Sequence, residues 1–212
     1  MEIRIIGSGA VGGTLATKSA QAGHRVTISS RDPEHAKAAA QTAGKNARAV
    51  ATTAEALENA EIVILAVPYT ALDDVVRDAS GGFDAKVLVD VTNRMGGAPG
   101  STIDGTSAAE QLQQKVPKAK VVKAFNTVFR SRANDPVVEG MTIDCFVAGD
   151  DDAARAKVVE LVRDVGLNPI DAGPLTMARA LEALAVLNIT LNARNKWPWQ
   201  TGWKLVGPGP SA

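Results

Sequence analysis

Residues 3–12 read Ile-Arg-Ile-Ile-Gly-Ser-Gly-Ala-Val-Gly, an apolar strand that runs straight into Gly7-x-Gly9-x-x-Gly12. Few folds accept such a junction. Gly7 lets the chain turn sharply out of the strand, Gly9 leaves room for backbone amides to approach a phosphate, and Gly12 lets the following helix lie against the sheet. Ser8, Ala10 and Val11 fill the turn and the first helical turn, where unpaired N–H groups and the helix dipole favour an anion. An amphipathic stretch from Ala10 to Ala22 ends at Gly23, as a helix closed by a glycine does, and Arg25 to Ser30 completes a strand–helix–strand unit. This context predicts a dinucleotide site rather than a bare turn.

The tip of the second strand reads Ser29-Ser30-Arg31. A site for NAD usually carries Asp or Glu there to bind the ribose 2′-hydroxyl. A carboxylate would repel a 2′-phosphate, whereas a hydroxyl and a guanidinium would bind it through charge-assisted hydrogen bonds. The tip therefore predicts NADP(H). Asp32-Pro33 reads as a helix cap and first-turn pair, and His35 and Lys37 would add positive charge nearby.

Strands and helices alternate to the end of the chain. Strands are expected at 3–7, 25–30, 47–51, 61–67, 86–92, 120–126, 142–148 and 168–171, and helices at 10–22, 33–43, 53–59, 70–79, 107–115, 151–165 and 174–195. Continuous apolar runs such as Ile62 to Val67 fit parallel strands covered on both faces. The pattern predicts an α/β fold: a doubly wound, mostly parallel sheet of the Rossmann type, with the ligand outside the carboxyl ends of the strands. The 212 residues suit a single domain, with a dinucleotide-binding core over 1–140 and a strand–helix extension over 141–212. The segment Asn93 to Thr106 reads as a lid or a solvated loop, and the tail from Gly207 to Ala212 as a frayed end.

Composition narrows the function. Charges balance at 23 basic and 23 acidic residues, without a basic stripe, which argues against nucleic acid. No apolar run approaches the roughly 18–20 residues of a membrane span. The first strand leaves no room for a signal peptide, and the one cysteine, Cys145, reads as a small buried apolar residue. A cytoplasmic protein is the expectation. His24 and His35 are too few for a zinc site, so no metal is expected.

Three strand ends should line the cleft. After the fourth strand come Ala66-Val67-Pro68-Tyr69, an apolar wall for a nicotinamide ring; after the fifth, Asp90-Val91-Thr92-Asn93-Arg94; after the sixth, Lys123-Ala124-Phe125-Asn126-Thr127-Val128. Reduction of a carbonyl or imine needs a positioned acid. Tyr69 and Lys123 are the available donors, although Lys123 has a phosphate or a helix end as alternative partners. A flavin-type acceptor can take a hydride at one position and its proton from solvent, so the protein need only position two flat rings. Asp171 reads as a cap. Trp197, Trp199 and Trp203 read as a cover for a flat ligand, a staple for the tail, or a dimer surface.

Together, Gly7-Ser8-Gly9-Ala10-Val11-Gly12, Ser30-Arg31, Val67-Pro68, Val122-Lys123-Ala124-Phe125-Asn126-Thr127 and Asp171-Ala172-Gly173-Pro174-Leu175 resemble the NADPH-dependent reductases of the deazaflavin coenzyme F420. The cytoplasmic oxidoreductase domain of the STEAP metalloreductases is similar too. The resemblance covers nearly the whole chain. It implies hydride transfer between nicotinamide C4 and a flavin or deazaflavin acceptor, with F420, FMN or FAD in that role. By the same likeness Gly9, Ala10, Val11 and Gly12 would cradle the pyrophosphate, Ser30 and Arg31 the 2′-phosphate, and Val67 and Pro68 the nicotinamide. Asn126 stands where the archaeal F420 reductases carry a histidine near the deazaflavin, and Phe129 where they tend to have proline; the Lys-Ala-Phe-Asn-Thr form is closer to the STEAP-like branch. An NADPH-dependent carbonyl or imine reductase and a non-catalytic NADPH sensor are the alternatives. A homodimer is the expected assembly, by way of the apolar C-terminal helix.

Overall fold

A computed structural model describes residues 1–94 and 105–207. The expected loop at Asn93 to Thr106 and the expected frayed tail fall largely outside these residues. Strands β1 (Glu2–Ile6), β2 (Arg25–Ser29), β3 (Ala47–Ala49), β4 (Ile62–Leu65), β5 (Val87–Asp90) and β6 (Lys120–Lys123) form a parallel sheet in the order β3-β2-β1-β4-β5-β6. The order reverses between β1 and β4, the place where a doubly wound sheet opens a ligand crevice.

The strands carry apolar residues on both faces because both faces are covered. In β4, Ile62 and Ile64 pack with Leu15 and Ala16 of helix α1 (Ala10–Gln21) and Ala36 and Ala40 of α2 (Pro33–Ala43), while Val63 and Leu65 join the opposite layer. After the short helix α3 (Thr53–Ala56), that second layer holds Leu72 and Val75 of α4 (Leu72–Asp78) and Leu112 of α5 (Ala108–Lys115). All four β4 residues are buried. Each such aliphatic side chain contributes about 1.5–3 kcal/mol relative to exposure.

Beyond β6 the chain departs from simple alternation. A short helix α6 (Arg130–Asn134) precedes a hairpin of β7 (Val137–Val138) and β8 (Met141–Thr142), whose turn residues Glu139 and Gly140 both have positive φ, 50° and 79°. Neither element was expected, although a residue–glycine pair between apolar residues is a hairpin signal. The single strand expected at 142–148 is divided between β8 and β9 (Asp144–Gly149). β9 then joins the main sheet antiparallel to β6, and α7 (Asp152–Asp164) carries the chain to β10 (Asn168–Gly173), parallel to β9. Cys145 is fully buried in β9, and burial pushes its thiol up to about 12, in keeping with an inert core residue.

The last helix, α8 (Ala178–Asn195), is tied to α5 by Arg179, which donates to both oxygens of Glu110 at 2.9 and 2.6 Å. Glu110 also closes a capping box with Ser107. The Arg179 guanidinium, opposed by burial and helped by Ser107, holds the Glu110 carboxyl down at about 2, from an ordinary 4.5. A depressed carboxyl contributes stability above its unfolded value and loses it as pH falls through the folded one. Glu110→Gln should therefore lose less of its urea midpoint between neutral pH and about pH 3 than the unaltered protein does. An equal loss would discard this role for the pair.

Trp199 and Trp203 tie the tail to the body. Trp199 meets Phe129 edge to face with ring centroids 5.6 Å apart, and Trp203 accepts the Asp144 N–H through its carbonyl at 2.9 Å. Ser131 and Arg132 donate to the carbonyls of Trp199 and Gln200. Asp171 is not a helix cap: it lies within β10, pairs with Arg155 and accepts the Gly173 N–H. Among the described residues no helix is long and apolar enough to cross a membrane.

Candidate active site

The cleft is built by the turn out of β1. Gly7 takes φ +106°, and its N–H donates to Ser29 O at 2.8 Å, which ties the ends of β1 and β2 together. A Cβ on Gly7 would lie 2.3 Å from Ala66 O, and one on Gly12 would lie 1.9 Å from Gly7 O. Both glycines are therefore required by the protein's own backbone. Gly9 differs: its φ is −67°, open to any residue, and a Cβ there would meet no atom of the described residues within 4 Å. Gly9 is the cap residue of α1, no side chain bonds the helix end, and the first turn has no acid. The leading N–H groups are left for an anion.

Two cavities meet over this turn, sharing Gly9, Ala66, Val67 and Pro68. The first, about 200 Å³, is lined by Gly7, Ser8, Ser30 and Arg31. Arg31 is exposed and makes no hydrogen bond or ion pair among the described residues. The far wall carries Asp74 and Asp78 of α4, which Arg77 engages at 2.7 and 3.7 Å. The second cavity, about 550 Å³, continues past Ala10 and Val11 to Tyr69, Val91, Thr92 and Asn93.

Polar side chains crowd the carboxyl ends of the strands. Four buried side-chain oxygens there have no hydrogen-bond partner among the described residues: Ser29 Oγ, Thr92 Oγ1, Asn126 Oδ1 and Thr127 Oγ1. Unpaired buried polar atoms are uncommon in native proteins and call for an explanation, a missing ligand among them. The residues present therefore fit a dinucleotide: open helical N–H groups and an uncrowded Gly9 for the phosphates, a free guanidinium for a further phosphate, and an apolar wall with polar ends for a ring.

Several expected residues sit differently. Gly12 is buried behind Gly7 and shapes the turn without lining either cavity. His35 is exposed and lies 3.5 Å from Asp32, in a neighbouring groove that shares Ser8, Gly9 and Ala10 with the cleft but not Arg31. Lys37 pairs with Glu34. Asn126 lies behind Asn93, donating to Asn93 Oδ1 at 2.9 Å and to Leu181 O at 3.0 Å, while Asn93 donates to Asn126 O at 3.2 Å. Phe125, just before it, adopts φ 62° while almost fully buried, a strained conformation for an aromatic residue that turns the chain at this strand end.

The proton donors expected from the sequence are occupied. Lys123 does not reach the cleft. It is fully buried, and its ammonium donates to Asp90, Glu182 and Thr92 O, which uses all three of its N–H groups. The Tyr69 hydroxyl donates to Gln111 Oε1 at 2.5 Å. Nothing local in the sequence marks Glu182: an acid within an apolar helix offers no sign that it is the buried partner of a strand lysine. Among the described residues no group of three or more His, Cys, Asp or Glu is placed to hold a metal ion.

A family model described as NADP oxidoreductase, coenzyme F420-dependent, matches residues 2–94. The F420-dependent NADP reductase of Methanothermobacter marburgensis is 34% identical over 212 residues, spanning 92% of this chain and 94% of that one. A crystal structure of a proposed F420-dependent NADP-reductase from Arthrobacter sp. FB24 superposes with a TM-score of 0.85 at 30% identity, covering 98% of this chain and 100% of that chain. Rat metalloreductase STEAP3 is 30% identical over an alignment of 188 residues, covering 86% of this chain and 36% of that protein. Fold and site thus define a dinucleotide-binding oxidoreductase. The chain belongs to the family of F420-dependent NADP reductases.

Proposed function

We propose that this oxidoreductase transfers a hydride between NADP(H) and coenzyme F420. The observation that carries the reading is the continuity of the cleft. One end offers the Ser30 hydroxyl and the Arg31 guanidinium, the middle offers open helical N–H groups at Gly9, and the other end is an apolar wall whose tyrosine already donates to Gln111. Bound NADP(H) and F420 would supply the hydride donor and acceptor. The protein's share is to bind and orient: Ser30 and Arg31 hold the 2′-phosphate, Ala10 and Val11 N–H groups the pyrophosphate, and Val67 and Pro68 support the nicotinamide. Such positioning converts an encounter of two rings into a near-attack geometry, where most of the available acceleration lies.

The names of the relatives support F420 as the acceptor. Occupied donors support it over a carbonyl or imine, whose reduction needs an acid. The test is a turnover assay in which purified protein and NADPH are offered F420, FMN, FAD and a cyclic imine. Loss of oxidised F420 absorbance, with the other acceptors slower by about tenfold or more, is expected. Turnover of FMN or the imine without F420 would discard the reading. Tyr69→Phe should keep F420 turnover within about threefold, because its hydroxyl serves Gln111 and not the reaction. A loss of a hundredfold would restore Tyr69 as the acid.

A further inference from the structure

Thr92 and Asn93 form one wall at the ring end of the cleft, and strand pairing does not hold them, since β5 stops at Asp90. A buried cluster does. Lys123 Nζ lies 2.8 Å from Asp90 Oδ2, 2.7 Å from Glu182 Oε1 and 2.5 Å from Thr92 O. Two carboxylates thus face one ammonium, and backbone N–H groups take up the surplus. Asp90 Oδ1 accepts from Thr92 at 2.9 Å, Glu182 Oε2 from Arg94 at 3.2 Å, and Glu182 Oε1 also from Ala108 at 2.9 Å. The Thr92 and Arg94 N–H groups follow β5, and the Ala108 N–H opens α5. Glu182 thus holds both Arg94 and Ala108, although it stands on α8, 74 residues beyond Ala108.

Charge-assisted bonds in a dry interior hold geometry tightly. They are a poor device for stability alone, because apolar residues often replace a buried ion cluster at no cost. What this cluster specifies is the place of residues 92–94. We propose that Glu182 is a positioning residue for hydride transfer: through Lys123 and the backbone of residues 92–94 and 108, it sets how the ring end of the cleft holds the nicotinamide against its acceptor. The proposal rests on the hydride-transfer reading above. Glu182 itself lines neither cavity of the cleft. A displacement of about 1 Å in such a wall can slow a reaction on the order of a hundredfold.

Glu182→Asp tests this. It keeps the charge that faces Lys123, but it is one methylene too short to reach both Arg94 N and Ala108 N. The kcat for F420 reduction should fall by about tenfold or more, with the KM for NADPH within about threefold and a larger primary isotope effect from NADPH deuterated at C4. Two readouts need no acceptor. The amides of Arg94 and Ala108 should exchange with deuterium about tenfold faster or more while β1 and β4 keep their protection, and bound NADPH should lose nicotinamide fluorescence anisotropy while adenosine 2′,5′-bisphosphate binds as before. Unchanged kcat and anisotropy despite loosened amides would overturn the proposal. So would an equal loss of affinity for adenosine 2′,5′-bisphosphate, which would mark general damage. If the unaltered protein does not reduce F420, the reading of function falls and exchange and anisotropy alone decide this inference. Should the aspartate variant fail to fold, Glu182→Gln is measured in the same way against the same outcomes.

Discussion

Gly12→Ala is expected to destabilise the protein severely, and Gly9→Ala to leave it folded but poor at binding NADPH. The two residues belong to one motif and differ only in what a methyl group would meet. At Gly12 it would stand 1.9 Å from the Gly7 carbonyl oxygen, a backbone atom of the turn that the Gly7 N–H bond to Ser29 O holds at the end of β1. Overpacking of this kind costs about 3 kcal/mol or more, which for a chain of this size lowers the melting temperature by roughly 6–12 °C. At Gly9 the same methyl group would meet no atom of the described residues within 4 Å, and the backbone conformation suits alanine. Melting should shift by only about 2 °C. The methyl group would, however, occupy the space through which phosphate oxygens reach the first turn of α1, and NADPH affinity should fall by about tenfold or more. Calorimetry and NADPH titration of both variants check the pair. Unchanged NADPH affinity in Gly9→Ala would remove the phosphates from the assigned place.

Arg31→Ala is the second large effect. It should weaken NADPH by about 10- to 150-fold, the range of one lost charged hydrogen bond or two, while NADH binding hardly changes. The side chain is exposed and has no protein partner among the described residues, so its loss should leave melting alone. Only the 2′-phosphate distinguishes the two cofactors. Equal losses for both would mean that Arg31 acts on something they share. Asp74 and Asp78 on the far wall make the guanidinium more needed, since without it the charged groups lining the cavity are both acidic.

How far these sites can be read from the sequence varies along the chain. The β1–α1–β2 unit is legible because each of its glycines answers a local demand and because β4 shows its burial in every residue. Arg31 follows from the same local logic. Lys123 does not. A polar residue at a strand end reads as a donor facing the ligand, and only the packing of α8 against β6 reveals that it turns inward to a carboxylate 59 residues away. The left-handed Phe125 and the antiparallel entry of β9 are also set by distant contacts, which no run of neighbouring residues encodes.

The two ends of the cleft are secured by different means. The Arg31 end rests on parallel ladders and on glycines locked against backbone carbonyls, whereas the Thr92–Asn93 wall hangs from one buried ion cluster drawn from β5, β6 and α8. A substitution in α8 can therefore loosen one end of the cleft while the other stays as built.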